Sequence, residues 1–130
     1  MRRSIASALG DLGELSVIPD LLRVLADKQE DPRVRQNIAS ALGKLGERSV
    51  VPELLRLLAN QQVAQGVREI IAEAIAKLAD SEQDARTLAT LLPTSDIAES
   101  IYRALWTVSR RAGVRVFKAD GGKQFEVVAW

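Results

Sequence analysis

Residues 5–26 read IASALGDLGELSVIPDLLRVLA, and residues 38–59 read IASALGKLGERSVVPELLRLLA. The two segments lie 33 residues apart and are identical at 17 of 22 positions. A repeat with a fixed period of this size indicates a solenoid, in which each unit buries its apolar face against its neighbours. The repeat therefore predicts the architecture, but it contains no motif that identifies a reaction or a partner.

The second copy shows how one unit is built. Asp31 is predicted to cap a helix that begins at Pro32, because proline is tolerated in the first helical turn. Gly46 is typical of the position just past a helix end, and Ser49 is predicted to cap a second helix. The apolar residues of the two helices follow the spacing i, i+3, i+4, i+7; they are Ile38, Ala41, Leu42 and Leu45, then Val51, Leu54, Leu55 and Leu58. One unit is therefore a helical hairpin.

A degenerate third unit and half of a fourth complete the repeat region. The second helix of the third unit is predicted to start near Ser81, and the next helix is predicted to begin with Asp96 as its cap and to end near Gly113. These signals predict a domain of helical repeats over residues 1–112, divided into about 1–31, 32–63, 64–93 and a half repeat at 94–112.

The last segment has a different character. Residues 114–118 and 123–130 are rich in β-forming residues and flank Asp120-Gly121-Gly122, which is typical of a β-hairpin. We interpret residues 113–130 as a C-terminal β-hairpin cap that covers the open apolar face of the last repeat, since solenoids need a polar outer end.

The N-terminus begins inside a repeat, because Met1 corresponds to Val34 in the second copy. This register suggests that the chain is the C-terminal fragment of a longer protein. The first helix of the first unit would then have an open face formed by Ile5, Leu9 and Leu12. We expect this face to be buried by a second copy of the chain, as a homodimer.

Composition narrows the class of function. The chain has a net charge of +1 and contains neither histidine nor cysteine, so it lacks the commonest general base, the commonest metal ligand and any thiolate site. No catalytic, cofactor-binding or metal-binding residue is predicted. No apolar run approaches the roughly 20 residues that span a bilayer, and the N-terminus lacks the apolar core of a signal peptide. We therefore expect a cytoplasmic protein without a membrane partner.

One set of positions in the second unit matches a known repeat class. The set is Asp31, Pro32, Val34, Arg35, Ile38, Ala39, Ala41, Leu42, Gly43, Leu45, Gly46, Val50, Pro52, Leu54, Leu55 and Leu58. It resembles the HEAT-like repeat first described in phycobilisome bilin lyases, and the resemblance extends over residues 1–108. It implies an all-α fold, a right-handed α-α superhelix with the second helices on its concave side. Such repeats also occur in DNA glycosylases, in arrays appended to NACHT-type signalling NTPases and in plain scaffolds.

Two equivalent arginines, Arg23 and Arg56, lie on the second helices outside the leucine stripe. Since neighbouring helices pack about 8–10 Å apart, they are expected to form a small ladder on the concave face. The candidate partner-binding residues there are Asp20, Arg23, Asp27, Glu53, Arg56 and Asn60. The alternative is that these charges form intramolecular ion pairs on a solvated face. In the third unit Ala89 takes the position of Arg56, so the ladder ends there.

A second pair of equivalent arginines, Arg35 and Arg68, follows a valine in the first turn of each first helix. In this repeat class such an arginine usually looks structural and pairs with an acid across the repeat junction. Asp31 is the nearby candidate for Arg35.

The C-terminal segment combines basic and aromatic residues. Residues 63–100 have a net charge of −4, whereas residues 101–130 have a net charge of +4 and contain all five aromatic residues. The candidate basic patch is Arg103, Arg110, Arg111, Arg115 and Lys118. Such a patch can bind nucleic acid through phosphate contacts and stacking. The alternative, which we favour, places Tyr102, Leu105 and Trp106 in the core under the hairpin with the cations outside.

The sequence thus favours a non-catalytic protein–protein interaction scaffold that binds an unidentified protein on its concave face. One alternative is a component of a bilin lyase-type complex, which rests on the repeat resemblance alone. A second alternative is nucleic-acid binding through the basic C-terminal segment, which the overall charge of +1 argues against.

Overall fold

A computed structural model of the chain describes residues 18–92, 95–119 and 124–129. The N-terminal face formed by Ile5, Leu9 and Leu12, and the predicted hairpin turn at residues 120–122, lie outside the described residues. The homodimer expected through that face therefore stays a prediction.

The described residues form six α-helices and one β-hairpin. A 3-10 turn, Arg48–Val50, lies between the second and third helices. The helices are α1 (Ile18–Ala26), α2 (Pro32–Leu45), α3 (Val51–Ala59), α4 (Gln65–Leu78), α5 (Glu82–Leu91) and α6 (Ala98–Ala112), and the strands are β1 (Val114–Ala119) and β2 (Gln124–Ala129). Among the described residues, every helix is too short or too polar to cross a membrane.

The chain divides into two compact units, residues 1–78 and residues 79–130. In the first unit α1 packs on α2, α2 packs on α4, and α3 packs on α4. The apolar stripes predicted from the repeat face inward, because their residues are buried, apart from Leu45, which is half-buried. The fully buried large side chains of this unit are Leu25, Ile38, Leu42, Val50, Leu54, Val67, Ile71 and Ile75. The predicted helices Pro32–Leu45 and Val51–Ala59 and their apolar faces are therefore confirmed.

The close packing of α2 on α4 depends on small residues. A Cβ atom placed on Gly43 would lie 3.4 Å from both Cα and Cβ of Ala74. That distance is at the edge of ordinary van der Waals contact, so a larger side chain at position 43 would push the two helices apart.

The ends of α2 follow the sequence signals. The Asp31 carboxylate accepts a hydrogen bond from the Arg33 backbone N–H at 2.7 Å, Pro32 is the first helical residue, and Gly46 ends the helix with φ of 73°. The predicted Ser49 cap of α3 is wrong. The Glu47 carboxylate accepts from the Ser49 N–H at 3.2 Å and so caps the 3-10 turn. That turn delays the start of α3 to Val51, which has no side-chain cap before it.

Gly46→Ala is expected to lower the free energy of unfolding by about 1 kcal/mol, because a Cβ is disfavoured in the left-handed conformation. Nothing lies within 4 Å of the added methyl group, so the loss comes from the backbone alone. Urea unfolding followed by circular dichroism measures it. Gly46→Asn is the matched control and should lose less, since asparagine tolerates positive φ. Equal losses in the two variants would contradict this explanation.

In the second unit α5 packs on α6, and the hairpin lies against both helices, with β2 on α5 and β1 on α6. The strands pair antiparallel in a register that runs from Val114 opposite Ala129 to Ala119 opposite Gln124. Val114 and Val127 are buried. The predicted all-α fold with a small C-terminal β-hairpin is confirmed, whereas the predicted repeat boundaries stay predictions.

Helix ends in the second unit were predicted with mixed success. The Ser81 hydroxyl accepts from the Asp84 backbone N–H at 3.1 Å, as a cap of α5 does, and Gly113 ends α6 with φ of 71°. The predicted Asp96 cap of α6 is wrong. The Ser95 hydroxyl accepts from the Ile97 N–H at 3.1 Å instead, and Ile97 precedes the helix without a side-chain cap.

Candidate functional site

The predicted arginine pair lies on the exposed side of α1 and α3. Arg23 Nη2 lies 2.6 Å from Asp20 Oδ1, and Arg56 Nη1 lies 3.3 Å from Glu53 Oε2. Each acid precedes its arginine by three residues, so both ion pairs form within one helix turn. Both arginine side chains are 76% exposed. Exposed pairs of this kind contribute about 0–1 kcal/mol to stability, so the arginines remain available to other partners.

The predicted ladder of Arg23 and Arg56 stays a prediction. Among the described residues, α1 and α3 make no extensive contact with each other, whereas the first helices α2 and α4 do. What the structure repeats is an acid–arginine pair with an exposed arginine on each second helix. We call the four residues Asp20, Arg23, Glu53 and Arg56 the second-helix face.

Asp27 and Asn60 organise loops instead. The Asp27 carboxylate accepts from the Gln29 backbone N–H at 2.9 Å, and the Asn60 amide oxygen accepts from the Gln62 N–H, also at 2.9 Å. These are equivalent Asx turns one repeat apart. Lys28 Nζ donates to Gln62 Oε1 at 2.9 Å and joins the two loops. The side chains of Asp27 and Asn60 thus bind loop backbone, whereas those of the second-helix face pair with each other.

Arg35 and Arg68 are buried, and their predicted structural role is confirmed. Arg35 Nε donates to the Leu25 carbonyl at 2.8 Å, near the C-terminal end of α1, and Arg68 Nε donates to the Val63 carbonyl at 2.9 Å. The predicted partner Asp31 is wrong, because its carboxylate caps α2. Burial lowers the pKa of Arg35 below its ordinary value, and the negative charge of Asp27 partly opposes that shift.

Two residues of the predicted basic patch, Arg103 and Arg111, have local partners. Arg103 Nη2 donates to Glu99 Oε1 at 2.8 Å, and Arg111 Nη1 donates to the Ala79 carbonyl at 2.7 Å. Arg110 and Arg115 are exposed. The side chain of Lys118 lies outside the described part of the structure.

The predicted core position of Trp106 is wrong. The buried side of α6 comprises Ile101, Ala104, Leu105, Val108 and Ser109, and Trp106 lies off this side, so that it is 51% exposed. The ring of half-buried Tyr102 meets the Trp106 ring edge to face, with centroids 6.4 Å apart and planes at 88°. The sequence already indicated that Trp106 lies outside the core. The apolar residues of this helix follow a spacing that leaves out position 106; they are Ile97, Ile101, Ala104, Leu105 and Val108.

One feature had no sequence signal. A groove of about 480 Å³ lies between α2 and α4, lined by Arg33, Gln36, Asn37, Ser40 and Ile70. Asn37 Nδ2 is already hydrogen-bonded to the Arg33 carbonyl at 2.8 Å. Gly66 leaves the space that the Gln36 amide occupies, since a Cβ there would lie 2.6 Å from Gln36 Nε2. The lining is polar but contains no carboxylate or nucleophile pair.

The described residues therefore offer surfaces for contact. Among the residues that the structure describes, no group of three or more carboxylates is placed to hold a metal ion. A family model for HEAT repeats matches residues 1–76 and, in a second overlapping match, residues 28–108. No curated protein shows a significant match to the chain.

Proposed function

This chain belongs to the HEAT repeat family, and we propose that it is a non-catalytic scaffold that binds a partner protein through the second-helix face. HEAT repeats commonly serve as protein-interaction scaffolds. The proposal assigns that general role to one surface of this chain and to the charged residues on it.

The observation that carries the proposal is the repetition of an ion pair whose arginine is exposed. Arg23 and Arg56 occupy equivalent positions, pair with an acid three residues earlier, and have the same exposure. A guanidinium forms strong, directional hydrogen bonds with carboxylates. Because the exposed intramolecular pairs contribute little to stability, a partner's carboxylate can replace Asp20 or Glu53 at small cost. Two equivalent helices thus present two similar contact points to one partner.

The two alternatives have less support. Participation in a bilin lyase-type complex rests on the resemblance of the repeats, which is shared by proteins of many functions. Nucleic-acid binding through the C-terminal segment is weakened because Arg103 pairs with Glu99 and Arg111 binds a backbone carbonyl.

Combined charge reversal, Arg23→Glu with Arg56→Glu, is expected to weaken binding of the partner at least about tenfold, which equals about 1.4 kcal/mol. The partner is first captured on the immobilised chain from a lysate and identified by mass spectrometry. Its affinity is then measured with purified proteins by isothermal titration calorimetry. Since both side chains are exposed, circular dichroism should show an unchanged fold.

The matched control is Arg33→Glu with Lys77→Glu, which makes the same change of charge on the exposed sides of α2 and α4. This variant should bind the partner as the wild type does. Equal affinities of the wild type and the second-helix variant, or equal losses in both variants, would overturn the proposal.

A further inference from the structure

Trp106 is an unusual side chain for the outside of a helix. Tryptophan is among the largest sources of contact area that a protein surface can offer. At 51% exposure, Trp106 is the most exposed of the large hydrophobic residues in the described part of the chain. Because the buried side of α6 is formed without it, packing among the described residues does not explain a tryptophan here.

The neighbours of Trp106 on α6 have the chemistry of a binding surface. Arg103 and Arg110 lie three residues before and four residues after it, which places all three side chains on one face of the helix. Tyr102 lies one turn before Trp106 and packs against its ring. Tryptophan, tyrosine and arginine are the residues most enriched at the energetic centres of protein interfaces.

Tyr102 also restricts the motion of Trp106. Its half-buried ring meets the indole edge to face at 6.4 Å, which favours one orientation of the exposed ring. A side chain that is already ordered loses less conformational entropy on binding. The surface is therefore prepared for contact in the free protein.

We propose that Tyr102, Arg103, Trp106 and Arg110 form a docking surface for an acidic protein segment that carries an apolar or aromatic side chain. The apolar side chain would pack on Trp106, and carboxylates on either side of it would pair with Arg103 and Arg110. We call these four residues the Trp106 surface. This proposal goes beyond the proposed function, because the surface lies on α6 and either proposal can hold without the other.

Charge supports an acidic occupant. Residues 101–130 have a net charge of +4. Arg110 has no ion-pair partner among the described residues, and Arg103 pairs only with Glu99 through a contact that is largely exposed on both sides. An exposed pair of this kind exchanges its partner at little cost. A segment with two or three carboxylates therefore matches the charges that this surface offers.

The same charges favour protein over nucleic acid. A nucleic-acid site must neutralise several successive phosphates. On α6, however, Glu99 offsets one of the two arginines of the Trp106 surface, and Arg111 Nη1 is bound to the Ala79 carbonyl. The remaining charge is sufficient for a few carboxylates spaced around an apolar side chain, but it does not form the continuous basic stripe that tracks a phosphate backbone.

A selection from a random peptide library displayed on phage, with the full chain as bait, tests the proposal. The enriched peptides are expected to contain acidic residues next to a leucine or an aromatic residue. Synthetic versions are expected to bind the wild-type chain and to lose affinity at least about tenfold, or about 1.4 kcal/mol, with Trp106→Ala and with Arg110→Glu. Added salt should weaken binding, because the ion pairs are exposed.

Two variants control for effects on the fold and on the other surface. Trp106→Phe keeps an aromatic ring and should lose less affinity than Trp106→Ala. The charge reversal at Arg23 and Arg56 should leave peptide binding unchanged, which distinguishes this surface from the second-helix face. In a Trp130→Phe background Trp106 is the sole tryptophan, so its fluorescence should shift to the blue when a peptide covers it.

Three results would overturn the proposal. The first is an absence of acidic sequences among the enriched peptides. The second is equal binding of these peptides by the wild type and Trp106→Ala. The third is tighter binding of a single-stranded DNA oligonucleotide than of the peptides, with loss of the DNA affinity in Trp106→Ala, which would assign the surface to nucleic acid.

Discussion

Ile71→Ala is expected to lower the free energy of unfolding by about 3 kcal/mol, within the range of 2–5 kcal/mol for buried isoleucine-to-alanine changes. Ile71 is fully buried on α4, the helix that packs on both α2 and α3. The substitution removes three carbon atoms from the centre of this contact. The interior is closely packed, so the neighbours can fill the resulting cavity only in part. Urea unfolding followed by circular dichroism measures the loss.

The adjacent residue provides a matched control. Ile70 is half-buried and lines the polar groove between α2 and α4, so Ile70→Ala should cost about 1 kcal/mol or less. Both variants remove the same atoms from the same helix. The difference between the two losses of stability therefore shows which side of α4 faces the interior. Equal losses would mean that this helix is rotated relative to the structure described above.

Arg35→Ala is expected to lower the free energy of unfolding by about 2–3 kcal/mol, since it removes a hydrogen bond from a charged donor and the packing of a buried stem. The Arg35 side chain is buried, and its Nε donates to the Leu25 carbonyl at 2.8 Å. Without it, this carbonyl in the last turn of α1 loses its side-chain donor, and α1 loses a connection to α2. Thermal and urea unfolding measure the effect.

Two further variants separate the contributions of Arg35. Arg33→Ala removes an exposed arginine of the same helix and should change stability by no more than about 0.5 kcal/mol. Arg35→Met keeps most of the stem but removes the buried charge, whose desolvation is the main cause of the lowered pKa of Arg35. It should therefore cost less than Arg35→Ala. If Arg35→Ala costs no more than Arg33→Ala, the structural role assigned to Arg35 is wrong.

The two proposed surfaces differ in how a partner would use them. The second-helix face offers charged side chains without a large apolar group, which favours specific pairing and a faster encounter more than high affinity. The Trp106 surface combines charge with a large apolar side chain, from which water is displaced on binding. Binding through the second-helix face should therefore be the more sensitive to salt. Substitutions at Trp106 should have the larger effect on the rate of dissociation.

The contacts of the functional and structural arginines were less predictable from the sequence than the fold. Both arginines of the second-helix face could be chosen from the repeat, because equivalent positions on equivalent helices have equivalent exposure. The hydrogen-bond partner of Arg35 could not be predicted from the repeat. Asp31 is nearer in sequence, but its carboxylate accepts from the Arg33 N–H of its own helix turn. The acceptor of Arg35 is ten residues away on another helix.

By itself, the amino-acid sequence determined the helical repeats, their apolar faces and most of their ends, because these depend on interactions within about one helical turn. Asp31, Gly46 and Gly113 act on backbone groups close to them in the chain. Only the tertiary structure decided the groove between α2 and α4, the acceptor of Arg35 and the exposure of Trp106. Each of these depends on which element packs against which side of a helix, and that is set by contacts between residues far apart in sequence.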